Sequence, residues 1–296
     1  MMQQSVSTAS PSQSSSRHGW IRLPMLFLIG IGILAGCASD PRQQADALGQ
    51  QAGLVREQIA APPFVLTTYV RISRHDQPLT VYIEGDGLAW RSRYQPSDDP
   101  TPRQALGLRL AAADHSANVV YLARPCQFTA ITDDPRCSVA YWTGKRFAPE
   151  VVTAMDAAVS RYAARVPGQP VNLVGYSGGG AIAVLVAARR QDIATLRTVA
   201  GNLDHDAVNR WHRVTPMPDS LNPIDVVDRV ASIAQVHFSG ADDSVVPTAI
   251  ARSFVARAGP CATLRIVAGL SHEGDWASQW PQMLAFQPAC HSASKK

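Results

Sequence analysis

Three short stretches hold residues that could act together on a carbonyl group. In PVNLVGYSGGGAIAVLVAARR, residues 170–190, Ser177 stands among glycines. A strand-like apolar run leads into it and a long apolar helical run leads out. Gly175-Tyr176-Ser177-Gly178-Gly179 therefore has the form G-x-S-x-G in the strand–turn–helix setting that lifts a serine hydroxyl above a sheet edge. Gly175 and Gly179 leave room where side chains would clash with neighbouring backbone, and the hydroxyl would face the positive end of a helix. The same residues would suit a serine that only caps that helix. A cap asks nothing more of the chain. A nucleophile needs a base, and the base needs a carboxylate to orient it.

Both occur downstream, each where a strand pattern ends. VHFSGADDSVVP offers Asp242 and Asp243, and RIVAGLSHEGDW offers His272. Asp243 and His272 are 29 residues apart, enough for one helix and one strand. The remaining histidines fit a base poorly. His18 belongs to the N-terminal segment, His75, His115, His212 and His291 to polar turns or helical runs, and His237 to the middle of a strand.

The elements that must position these groups alternate. Strands are expected at 64–72, 79–87, 117–125, 170–176, 196–202, 234–240 and 263–269. Helices are expected at 101–114 (Thr101 as cap, Pro102 at the first position), 148–166, 178–190, 247–259 and 274–287, the last interrupted by Pro281. Short apolar strands separated by helices call for an α/β fold, a mostly parallel central sheet with helices on both faces. No internal repeat breaks the pattern, so 63–290 reads as one domain. Residues 37–62 read as a tether and an N-terminal helix ended by Pro62-Pro63, and 291–296 as a tail.

With these motifs in order, the chain resembles the α/β-hydrolases, whose triad runs serine, acid, histidine along the chain. The resemblance spans roughly 63–290. It selects Asp243 over Asp242, because Asp243 stands three residues after Gly240 and three before Val246-Pro247. It makes Gly269-x-x-His272 the base loop. It implies an oxyanion hole formed by the backbone N–H groups of Asp86 and Gly178, with Gly87 the alternative to Asp86. It also implies a small cap after the sixth strand, over 202–224. Related hydrolases carry His-Gly where this chain has Glu84-Gly85. Glu84 is expected either to pair with Arg124 or Arg146 or to bind loop amides. The implied activity is that of a serine hydrolase, carboxylesterase-like, acting on a small-molecule acyl ester or thioester, with no cofactor and no metal. An amidase or peptidase would use the same triad, and a non-catalytic envelope lipoprotein could keep the fold as a binding scaffold.

Two further segments bear on the site. In NLDHDAVNRWH, Asp204, His205 and Asp206 are consecutive and so point apart, which suits a helix start capped by Asp204 better than a metal site. In 124–147, Arg124, Phe128, Tyr141, Trp142 and Arg146 either line a substrate site at a strand's C-terminal end or pack on the core as a pinned loop.

The N-terminus reads as an export signal over 1–36. A polar, acid-free stretch precedes LPMLFLIGIGILAG, an apolar run too short for a bilayer span. Leu-Ala-Gly-Cys37 resembles the lipobox of bacterial lipoproteins, which implies lipidation at Cys37, a membrane anchor, and attachment to the cell envelope, at the outer membrane facing the periplasm. Four cysteines then remain, an even number for an oxidising compartment, and the sequence-local pairing is Cys126–Cys137 and Cys261–Cys290. The net charge is +4, and Arg17 and Arg22 of the N-terminal segment supply two of those charges. No Lys/Arg run or zinc spacing accompanies it, which argues against a nucleic-acid partner. A monomer is expected.

Overall fold

The structure, a computed structural model, describes residues 40–290. The signal-like segment, Cys37 and the tail 291–296 lie outside the described residues. In chain order the elements are α1 (Pro41–Gln51), β1 (Val55–Ala61), β2 (Phe64–Ile72), β3 (Leu79–Ile83), β4 (Trp90–Ser92), β5 (Gln95–Pro96), α2 (Leu106–Ala112) and β6 (Asn118–Leu122). Then follow α3 (Pro149–Ala163), β7 (Val171–Tyr176), α4 (Gly178–Ala187), β8 (Ile193–Val199), α5 (His205–His212), α6 (Val227–Val230), β9 (Ala234–Gly240), α7 (Thr248–Ala258), β10 (Ala262–Val267) and α8 (Trp276–Leu284).

Eight strands form one sheet in the order β1-β2-β6-β3-β7-β8-β9-β10, while β4 and β5 make a separate two-stranded ribbon. β2 is antiparallel to both β1 and β6, and every pair from β6 through β3 to β10 is parallel. Period-2 alternation divides the core. Leu79, Val81 and Ile83 of β3, with Val120 and Leu122 of β6, pack under α3, α4, α6 and α7. Tyr82, Val119 and Tyr121 face α1, α2 and α8. Both faces are thus covered, which the parallel strands require. The turns that follow β3, β7, β9 and β10 at their C-terminal ends carry Asp86, Ser177, Asp243 and His272.

Three expected elements are corrected. Residues 55–61 are not helix but the edge strand β1, paired with β2 through a turn at Pro62-Pro63. Val55 and Ile59 have the spacing of a helical face, but they lie on a strand whose alternation buries Ile59 and Ala61, and Gly53, at a φ of 68°, ends α1. The helix expected from Thr101 begins at Leu106, because the Thr101 hydroxyl is engaged by the Phe128 N–H at 2.9 Å. β3 ends at Ile83, and the four residues that follow form a loop. The small cap appears as expected after β8, the sixth strand of the main sheet, with Asp204 capping α5 through the Ala207 N–H. Both expected disulfides, Cys126–Cys137 and Cys261–Cys290, are present.

Candidate active site

The turn between β7 and α4 places Ser177 at φ 51°, ψ −120°. Few side-chain-bearing residues adopt this backbone, and it costs on the order of 1–3 kcal/mol. The surroundings hold it there. The Ser177 N–H donates to Val199 O, and Ser177 O accepts from Gly180 and Asn202 N–H groups, each at 2.9 Å. The flanking glycines are close-approach positions: a Cβ on Gly175 would stand 2.2 Å from Gly179 O, and one on Gly179 2.2 Å from Ile83 O. Only without those side chains can α4 start directly against β3 and β7.

His272 Nε2 lies 2.9 Å from Ser177 Oγ, and His272 Nδ1 lies 2.9 Å from Asp243 Oδ2. The other oxygen of Asp243 accepts the N–H groups of Val245 and Val246 at 2.9 and 2.8 Å. The Asp243 side chain is wholly buried, whereas Asp242 is exposed. The Trp276 indole N–H and the Tyr176 hydroxyl both donate to the His272 carbonyl, and the Tyr176 ring lies 5.5 Å from the imidazole. The structure therefore brings together Ser177, Asp243 and His272 in one hydrogen-bonded line. Such a line can take the serine proton as a carbonyl is attacked.

Asp86, in the loop after β3, and Gly178, the first residue of α4, adjoin Ser177 at the cleft. Among the described residues, neither backbone N–H has a protein acceptor. The Asp86 side chain folds over Gly178, where a Cβ would come within 2.0 Å of Asp86 Oδ1. Its carboxylate accepts from Arg124 Nη1 at 3.3 Å and Arg146 Nη1 at 3.1 Å. Arg124 also donates to the Arg146 carbonyl, and both guanidinium groups lie over the Phe147 ring. Burial lowers the Arg124 pKa to about 10, which leaves it charged at neutral pH.

Glu84 does not pair with either arginine. Its carboxylate binds loop and helix amides, the alternative expectation. Oε1 accepts from Gly85 and Gly107 N–H, and Oε2 from Leu108 N–H and the Tyr121 hydroxyl. Burial raises its pKa, and these donors oppose the rise. Glu84 thus ties the loop after β3 to the start of α2.

A cleft of about 840 Å³ opens above Ser177, walled by the β4–β5 ribbon, the cap and the loop after Asp243. Three contacts fasten these walls: Arg93 Nη2 donates to His212 O at 3.4 Å and Arg213 O at 3.1 Å, and His212 Nε2 lies 2.7 Å from Val245 O. Of the residues expected from 124–147, Arg146 lines the cleft. Phe128 and Trp142 are buried instead, and Tyr141 packs edge-on against Phe64. Sequence reasoning missed Asn202, which lines the cleft with a buried Oδ1 that has no partner. It missed the ribbon as well, because two strands this short carry no periodic signal.

No family model matches the chain, and no curated protein matches it. Solved structures do. An esterase from Pyrococcus furiosus is similar at 11% identity and a TM-score of 0.56, over 81% of this chain and 94% of that one. An α/β serine hydrolase without a lid from Xanthomonas campestris is similar at 15% and 0.52, over 80% and 97%. An acylaminoacyl peptidase from Pyrococcus horikoshii is similar at 9% and 0.57, over 82% of this chain and 42% of its own. At such identities the likeness is one of fold. Together with the sheet order and the turn that carries Ser177, it establishes that this chain has the α/β-hydrolase fold.

Proposed function

We propose that the chain is a serine hydrolase that cleaves small acyl esters through a covalent acyl-enzyme. The observation that carries this reading is the continuous line from Asp243 through His272 to Ser177, set at the floor of an open cleft. In the reaction Ser177 Oγ attacks the ester carbonyl carbon while His272 Nε2 takes its proton. Asp243 fixes the ring and stabilises its charged form. The oxyanion forms against the N–H groups of Asp86 and Gly178, at the positive end of α4. The carbon–oxygen bond then breaks, and the alkoxide leaves with the proton from His272. Water then attacks the acyl carbon as the same nitrogen takes its proton, the acyl–Oγ bond breaks, and His272 returns that proton to Ser177 Oγ as the acid leaves.

A fluorophosphonate should label the folded protein at Ser177, and Ser177→Ala should lose both labelling and short-chain ester turnover. A folded wild type that resists labelling would remove the basis of the proposal. Cys37, within its lipobox-like setting, is proposed to carry the membrane anchor. Labelling with a fatty-acid analogue that survives Cys37→Ser would refute that part.

A further inference from the structure

Four of the ten large hydrophobic side chains left exposed among the described residues line one place, the mouth of the cleft. Trp90 and Tyr94 of the ribbon are 43% and 85% exposed, Trp211 of the cap 65%, and Val214 and Val245 more than 40% each. Trp90, Tyr94, Val214 and Val245 line the cleft, and Trp211 stands exposed on α5 of the cap, one residue before the lining residue His212. Exposed apolar groups are ordinary when scattered and informative when clustered. This cluster is dominated by Trp and Tyr, which have an apolar body and a polar edge.

Arginines are interleaved with the aromatics. Arg93 and Arg213 line the cleft and are exposed, and neither has a carboxylate partner among the described residues. Aromatic rings that sit at headgroup depth, with cations against lipid phosphate, are the chemistry of a membrane interface. A second copy of the chain suits the patch poorly, because a two-fold contact would bring both sets of unpaired arginines into one interface. The first described helix starts beside the ribbon: Arg42, at the start of α1, pairs at 2.8 Å with Asp99, three residues beyond the ribbon.

We propose that the cleft mouth docks on an anionic lipid surface, with Trp90, Tyr94 and the neighbouring Trp211 in the headgroup layer and Arg93 and Arg213 against lipid phosphates. The site would then open toward the bilayer, and its substrates would arrive from that surface.

The test uses the full chain reconstituted on vesicles with brominated acyl chains, made of phosphatidylcholine with or without phosphatidylglycerol. Bromine quenches only the tryptophans that reach the lipid. Trp142, Trp276 and Trp280 are buried, which leaves Trp90, Trp211 and the N-terminal Trp20 to report. Quenching is expected on phosphatidylglycerol vesicles, with the rim contribution lost in the Trp90→Phe/Trp211→Phe double variant. Arg213→Gln should lower the ratio of docked to free rim about fivefold, as roughly 1 kcal/mol per cation implies. Quenching that is unchanged in the double variant, or equal on neutral and anionic vesicles, overturns the proposal. So does an unquenched rim in a dimer that Trp211→Ser dissociates. None of these readings requires turnover, so the proposal stands or falls apart from the esterase reading.

Discussion

Asp243→Asn tests the triad with little disturbance to its frame. Asp243 Oδ1 serves two backbone N–H groups, and Oδ2 serves His272. An asparagine would keep its oxygen on the two amides and turn its NH2 toward Nδ1. The imidazole must then accept at Nδ1 and carry its proton on Nε2, where it faces Ser177 Oγ. No acceptor for the serine proton remains, an exchange worth about 10⁴-fold in kcat, or about 5.5 kcal/mol at 1.36 kcal/mol per decade. Stability should fall far less, because only one charge-assisted hydrogen bond, worth about 1.5–3 kcal/mol, is lost. Steady-state hydrolysis of a short-chain aryl ester, read beside thermal melts, separates the two effects. Asp242→Asn serves as the control and should match wild type. If Asp243→Asn stays within tenfold of wild type, or if Asp242→Asn is the variant that fails, the assignment of the acid is wrong.

Gly178→Ala sets a methyl 2.0 Å from Asp86 Oδ1; moving Asp86 breaks its bonds to Arg124 and Arg146, so kcat should fall about 10²-fold with the fold kept, as loss of one oxyanion donor implies. Glu84→Gln replaces an acceptor oxygen with an NH2 group among N–H and O–H donors, and should lower unfolding free energy by about 2 kcal/mol; denaturant titration reads it, and an unchanged midpoint would refute the tie between the loop and α2. His237 is fully buried between Thr198 and Gln235, and burial lowers its pKa to about 3. Because the native value lies below the unfolded one of about 6.5, the stability it contributes is complete above that pH and drains away toward pH 3. Urea unfolding should therefore show about 3 kcal/mol of acid loss between pH 7 and pH 4, and His237→Gln should show visibly less.

The parts of the site that local chemistry dictates were legible in the sequence. Gly175, Ser177 and Gly179 must cluster because a β-turn-α junction pressed against β3 has no room for side chains, and the acid and base follow strand ends that apolar runs mark. What escaped depended on distant partners. Nothing near Glu84 in sequence discloses Gly107 or Tyr121, and nothing near Asp86 discloses that Arg124 and Arg146 would take its carboxylate. Residues 55–61 misled for a different reason. Leu54, Val55 and Ile59 also fit a helical stripe, and only pairing with β2 settles the period.

One feature of the scaffold sets how the site would fail. Every residue of α4, from Gly178 to Ala187, is buried, so the helix that aims the serine has no solvent-facing side of its own. It cannot peel away alone, and opening it means opening the sheet. The amides of this segment should accordingly be among the slowest to exchange with deuterium, at the free energy of global unfolding. On heating, the nucleophile would keep its geometry until the whole domain melts. The cap and ribbon, held over it by the contacts of Arg93 and His212, would loosen first, so substrate grip would weaken with temperature before reactivity toward a small probe does.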